Sequence, residues 1–90
     1  MKTLELNWAI DGNDLGHRMK SVAGFLEEGR KIEIVLARKK KGRRATGEEC
    51  REVIKRIGET VEGVDGAKEV QELTGEVGGL ATIVLQGRPV

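Results

Sequence analysis

The chain has 90 residues, of which 34% are charged and 38% hydrophobic, with a formal net charge of +1. Ninety residues make one domain (1–90) with one modest core. No apolar run approaches the roughly 20 residues that a membrane span needs, and Cys50, the only cysteine, excludes an intramolecular disulfide and fits a reducing compartment. The near-neutral total hides an asymmetry. Residues 1–45 carry 11 basic and 6 acidic side chains, net +5, whereas residues 46–90 carry 5 basic and 9 acidic, net −4. A basic half points to an anionic partner.

The elements follow in chain order. Thr3 to Ile10 alternates, with Leu4, Leu6, Trp8 and Ile10 on one side, and predicts a strand with one buried face. Asp11-Gly12-Asn13 reads as a turn, with Asn13 or Asp14 as the helix cap. Leu15, Met19, Val22, Ala23 and Leu26 recur at helical spacing, with Phe25 on the flank, and Gly29 suits a left-handed cap. The first helix is therefore expected over about 14–28. Ile32, Ile34 and Leu36 alternate again and predict the second strand.

Arg38 to Arg44 holds six basic residues in seven positions. Charges so close repel one another and prefer water, so this run reads as a loop. A phosphate backbone relieves the repulsion and releases counterions, and this marks Arg38, Lys39, Lys40, Lys41, Arg43 and Arg44 as candidate phosphate contacts. Gly42 lets the backbone bend close to a partner. The bland alternative is a solvated surface loop.

Thr46-Gly47-Glu48-Glu49 predicts a capping box, and Cys50, Val53, Ile54, Ile57 and Val61 form the stripe of a second helix that ends at Gly63 to Gly66. At this position Cys50 reads as inert core. Ala67 to Val77 predicts a weaker strand, Gly78-Gly79 a tight turn, and Leu80 to Leu85 a nearly all-apolar strand at the centre of the sheet. The expected architecture is an α+β two-layer sandwich in the order β-α-β-α-β-β. A four-stranded mixed sheet would carry both helices on one face, so that the two stripes are buried together.

Catalysis finds little in this sequence. The single histidine, His17, falls on the polar side of the first helix, metal ligands do not cluster, and no phosphate-binding or nucleophile motif is present. Glu27-Glu28 and Glu48-Glu49 read as helix-surface charge. The expectation is a non-enzymatic domain without cofactor or metal. Trp8 and Phe25 are the only aromatic residues, and both read as core. A platform that stacks bases needs exposed aromatic rings. Any RNA binding is therefore expected to work through backbone charge and shape.

Several segments, in order, resemble the C-terminal domain of translation initiation factor three. These are Asp14-Leu15 with Arg18, Lys20 and Ser21, then the FLEEG of Phe25 to Gly29, then the basic run with Gly42-Arg43. Glu52 to Ile57 resembles the family's second helix and Leu80 to Leu85 its final strand. The segment NWAIDGNDLGHRMK, residues 7–20, is more similar to the organellar branch, the fungal mitochondrial one above all, than to the bacterial one. The resemblance implies the same two-helix, four-stranded fold and binding to the platform of the small ribosomal subunit through its rRNA. It also implies a block on large-subunit joining and support of start-site selection. Platform ribosomal proteins would be further partners, the domain would be a monomer with no membrane role, and it would work in the mitochondrial matrix or, for the bacterial branch, in the cytoplasm. By position the family's RNA contacts fall on Arg18, Lys20, the run Arg38 to Arg44 and Arg56. Gly24 stands where the family has an arginine one turn after Lys20, and Gly78-Gly79 where it has one in the last hairpin. Two other classes stay open: a small α/β regulatory module that binds a ligand or dimerises, and another stand-alone RNA-binding α/β domain. The N-terminus shows no secretory or transit pattern, so the chain is expected to work where it is made or to be a mature piece of a longer protein.

Overall fold

The computed structural model describes residues 2–38 and 45–89. Lys39, Lys40, Lys41, Gly42, Arg43 and Arg44 lie outside the described residues, so the loop expected there has no structural account. The elements run β1 (Lys2–Asn7), α1 (Gly12–Glu27), β2 (Lys31–Ala37), α2 (Gly47–Glu62), β3 (Lys68–Gly75) and β4 (Ala81–Gln86). They form the expected α+β sandwich with a four-stranded mixed sheet in the order β1-β2-β4-β3.

β1 pairs parallel with β2, from Lys2 opposite Ile32 to Asn7 opposite Ala37. β4 runs antiparallel to both β2 and β3, so β2 and β3 point the same way. Each helix therefore crosses between strands of one direction, and α1 and α2 run parallel to each other. The inner place of β4 follows from its side chains: Ala81, Ile83, Val84 and Leu85 are all buried, so neither face of this strand tolerates much water. β3 is the opposite case. Only Leu73 is partly shielded, and its pairing slips between Glu69 and Gln71 and again between Gln71 and Thr74. An exposed, charged, bulged strand belongs at an edge, where it also discourages pairing with another chain.

One core joins the helical stripes to the inner sheet face. Leu15, Met19, Val22 and Leu26 of α1 and Cys50, Val53, Ile57 and Val61 of α2 meet Leu6, Ile32, Ile34, Leu36, Ala81, Ile83 and Leu85. Leu26 has no exposed surface, and its truncation to alanine would cost about 2–5 kcal/mol. Cys50 is buried and free, as its place in the stripe predicts. Among the described residues no helix is long and apolar enough to cross a membrane.

Four expectations change in detail, one being that the strand expected over Ala67 to Val77 ends at Gly75, so that Val77 lies in the turn. The first strand stops at Asn7 rather than reaching Ile10, because the Ile10 N–H donates to the Asn7 carbonyl and the chain turns there. Trp8 is still buried, but in the turn and not in the strand. The cap of α1 is Asp11, whose carboxylate accepts from the Asn13 N–H at 2.8 Å, so the helix starts two residues before Asp14. Leu80 is 69% exposed and precedes the last strand, which opens at Ala81. An all-apolar run has no period of two, so the sequence alone could not say where the hairpin turn ended. The Thr46–Glu49 capping box stands as the sequence predicts, with both bonds at 3.1 Å, and Gly29 closes α1 at φ 80°.

The C-terminal segment locks the far end of the two layers. The Gly87 N–H donates to Arg30 and the Arg88 N–H to Leu26, while Arg88 Nε donates to the Glu27 carbonyl at 2.7 Å. A Cβ on Gly87 would overlap the Leu26 carbonyl, so this close approach requires glycine. α1 has no basic residue in its last turn. Arg88 brings the cation that its C-terminal dipole favours.

Candidate nucleic-acid interface

The basic run joins β2 to α2, so its two ends mark one end of the domain. β2 finishes at Ala37 and Arg38 follows, exposed. Ala45 is partly buried against the core and Thr46 opens α2. The turn after β1 lies at the same end, since the Trp8 N–H donates to the Ala37 carbonyl at 3.4 Å. The β3–β4 turn is there too: Trp8 Nε1 donates to the Gly79 carbonyl at 2.6 Å, and a Cβ on Gly78 would lie 3.9 Å from the Cys50 sulfur. The N-termini of both helices point this way. Their partial positive charge is largely spent on their own acidic residues, Asp11 and Asp14 on α1 and Glu48 and Glu49 on α2.

An open groove of about 640 Å³ runs between α1 and α2. Asn13, His17, Lys20 and Glu27 line it from α1, and Arg56, Glu59 and Thr60 from α2. The spacing 13, 17, 20, 27 keeps these residues on one side of the helix, so the set was readable from sequence once that side was known to face α2. Arg56 leans across the groove. Its guanidinium lies 3.4 Å from where a Gly16 Cβ would stand, which the absent side chain permits. The same guanidinium reaches Glu52 at 3.9 Å, with both partners more than a third exposed. Such a pair contributes little to stability and leaves the cation free to exchange partners.

Lys20 and Arg56 are thus brought together by the fold. Arg18 is not. Two residues before Lys20, it sits about 200° away around α1, on the flank of Phe25, and it does not line the groove. Phe25 itself lies between cations, with Lys2 Nζ 5.4 Å and the Arg30 guanidinium 5.9 Å from its ring centre. The candidate cations therefore divide into Lys20 and Arg56 in the groove, Arg38 at the strand end, and Arg18 on the opposite flank. Lys39, Lys40, Lys41, Arg43 and Arg44 carry the densest charge and lie outside the described residues.

The groove is not uniformly basic. Glu27 and Glu59 lie further along the helices than Lys20 and Arg56, so its cations are nearer the end where the basic run begins and finishes. The sheet face away from the helices carries Thr3, Glu5, Glu33, Val35, Thr82 and Val84, as the registers require. It has no aromatic ring in these positions, and its acidic residues repel phosphate. RNA binding by stacking on the sheet is not available here. Sequence reasoning passed over Asn13 and His17 as groove residues, and also the exposed Val77 and Leu80 of the β3–β4 turn.

Among the described residues no group of three or more histidine, cysteine or acidic side chains is placed to hold a metal ion, and no buried side-chain polar atom lacks a partner. No protein-family model matches the chain, and comparison with curated proteins yields no match.

Proposed function

We propose that this chain is a ribosome-binding domain of the kind found at the C-terminus of translation initiation factor three. It would bind small-subunit rRNA through phosphate contacts and, by occupying the platform, deny that surface to the large subunit. The observation that carries this reading is the run of six basic residues in seven positions, 38–44. Its self-repulsion in the free protein is relieved by a polyphosphate. Support comes from the ordered resemblance of FLEEG, the basic run and the second helix. The β-α-β-α-β-β order in a four-stranded mixed sheet is also the arrangement that the resemblance implies. Lys20 and Arg56 would extend the phosphate contacts from the run into the groove, with platform proteins as further neighbours. The organellar character of residues 7–20 favours the mitochondrial matrix over a bacterial cytoplasm.

Sedimentation with purified small subunits at several salt concentrations tests this reading. If about six phosphates are neutralised, log affinity falls with log salt at a slope of roughly −4 to −5. Binding with a slope near zero would make the contact one of protein or apolar surface, and no co-sedimentation at low salt would remove the reading. The groove between the helices is the one feature that favours a regulatory ligand-binding module instead. That module has no use for the basic run, so the ribosomal reading takes precedence.

A further inference from the structure

His17 lines the groove between the helices and takes no part in the contacts assigned above. The sequence places it among solvated residues, but the fold gives it neighbours. On α1, Asn13, His17 and Lys20 follow one another at spacings of four and three, so they stand on successive turns of one side. All three are exposed. Gly16 leaves a gap beside them, and the Arg56 guanidinium of α2 lies there, 3.4 Å from where a Gly16 Cβ would stand. On the helix surface Gly16 is three residues from Asn13 and four from Lys20, so Arg56 arrives between these two. An amide, an imidazole, an ammonium and a guanidinium thereby border one gap. Among the described residues no hydrogen bond or ion pair engages the side chains of Asn13, His17 and Lys20, and the Ser21 hydroxyl meets only the His17 backbone carbonyl.

The groove limits what this gap can hold. Glu59 and Glu27 line it further along, Glu27 seven residues beyond Lys20, about 10 Å on the helix axis. A second anionic group in line with the first would meet these carboxylates, so the gap takes one. We propose, resting on the phosphate-binding reading above, that Asn13 and His17 complete with Lys20 and Arg56 a site for a single RNA phosphate, and that His17 links its occupancy to pH. An imidazole gains its proton between about pH 5 and 8. Neutral, it offers a phosphate one N–H donor; protonated, it offers a charge-assisted one. The charged groups around His17 are Asp14 one turn before it and Lys20 one turn after it on α1, and Arg56 and Glu59 on α2, with Glu52 held by Arg56 at 3.9 Å. A phosphate among Lys20, Arg56 and an imidazolium is attracted by three cations, and beside a neutral imidazole by two. By linkage, protonation and phosphate binding then favour each other, and affinity rises as the pH falls.

The test measures binding of the full chain to purified small subunits between pH 6 and pH 8 at constant salt. The parent should bind about fivefold more tightly at pH 6 than at pH 8, the contribution of one further phosphate contact near 0.1 M salt. His17→Gln keeps a donor but does not titrate, so its affinity should stay flat over this range, while its melting follows that of the parent. At pH 6 its log–log salt slope should be shallower than the parent's by roughly 0.7–0.9, the share of one contact. His17→Lys should bind at the higher level throughout. Gly16→Leu puts a side chain where Arg56 lies. It should gain stability through helix propensity and still lose affinity at both pH values. A parent whose affinity is flat with pH, or a His17→Gln that follows pH as the parent does, overturns the inference and leaves the phosphate-binding reading standing. A gap between parent and His17→Gln at pH 6 with equal salt slopes overturns it as well, because the imidazole then meets an uncharged group. Gly16→Leu binding like the parent takes Arg56 out of the site and has the same consequence. A parent that does not bind small subunits at low salt removes this inference and the phosphate-binding reading together.

Discussion

The indole N–H of Trp8 donates to the carbonyl of Gly79 at 2.6 Å, across 71 residues of chain. This bond ties the turn after β1 to the turn between β3 and β4, two elements that do not neighbour each other in the sheet. It also meets the hydrogen-bonding need of an indole that is otherwise buried. The two turns at the end of the domain where β2 finishes are thereby tied to each other.

Trp8→Phe keeps most of the apolar volume and removes the donor. Leaving a carbonyl unpaired at a part-buried site should cost about 1–3 kcal/mol, which for a domain of this size lowers the melting temperature by several degrees. Amide exchange should accelerate at Glu76 and Gly79 more than in β2. An unchanged melting curve would show that the bond contributes nothing to the fold.

Replacing Lys39, Lys40, Lys41, Arg43 and Arg44 together with alanine should abolish small-subunit binding while the melting temperature stays within the range of ordinary surface changes, ~0.5 kcal/mol per site. The run holds no apolar side chain, and relief of repulsion can even stabilise. Unfolding of this variant in a thermal melt would show that the segment packs against the domain.

Lys20 and Arg18 separate two models of the interface. If RNA lies over the groove, Lys20→Glu and Arg56→Gln should each weaken rRNA binding, and the double variant should lose less than the sum, because both face one site. Arg18→Glu, on the far flank of α1, should stay within about twofold of the parent, near the limit for a remote surface charge. Filter binding of the four variants beside the parent at one salt concentration decides it. A large loss at Arg18 with none at Lys20 would move the contact to the Phe25 flank.

Gly24 stands on the exposed side of α1, and a Cβ there meets nothing within 4 Å. Gly24→Arg should raise stability by about 0.5–1 kcal/mol through helix propensity alone. Four residues after Lys20, the new charge shares its side of the helix, so RNA affinity should rise and the salt slope steepen. Gain of stability without gain of affinity would remove the Lys20 side of α1 from the interface.

Thr46→Ala removes one half of the capping box whose bonds both measure 3.1 Å. A loss of about 1 kcal/mol is expected, read as a lower midpoint in urea with an unchanged slope. Because this cap follows directly on the basic run, a larger loss of RNA affinity than of stability would show that the start of α2 orients the run.

The amino-acid sequence determined the six elements, the Thr46 box, the glycine stop at Gly29, the burial of Cys50 and the density of positive charge between Arg38 and Arg44. These features depend on neighbours within one or two turns of chain, and periodicity and side-chain chemistry report such neighbours directly. Tertiary structure alone decided the order β1-β2-β4-β3, the burial of Trp8 outside its strand and the exposure of Leu80. It also decided which flank of α1 faces α2, and so that Lys20 and Arg56 share a groove that Arg18 does not. Each of these depends on groups brought together across long stretches of chain, as Trp8 and Gly79 are across 71 residues or Gln86 and Gly29 across 57. Such pairings are chosen by how whole layers close over the core, and no local pattern carries that information.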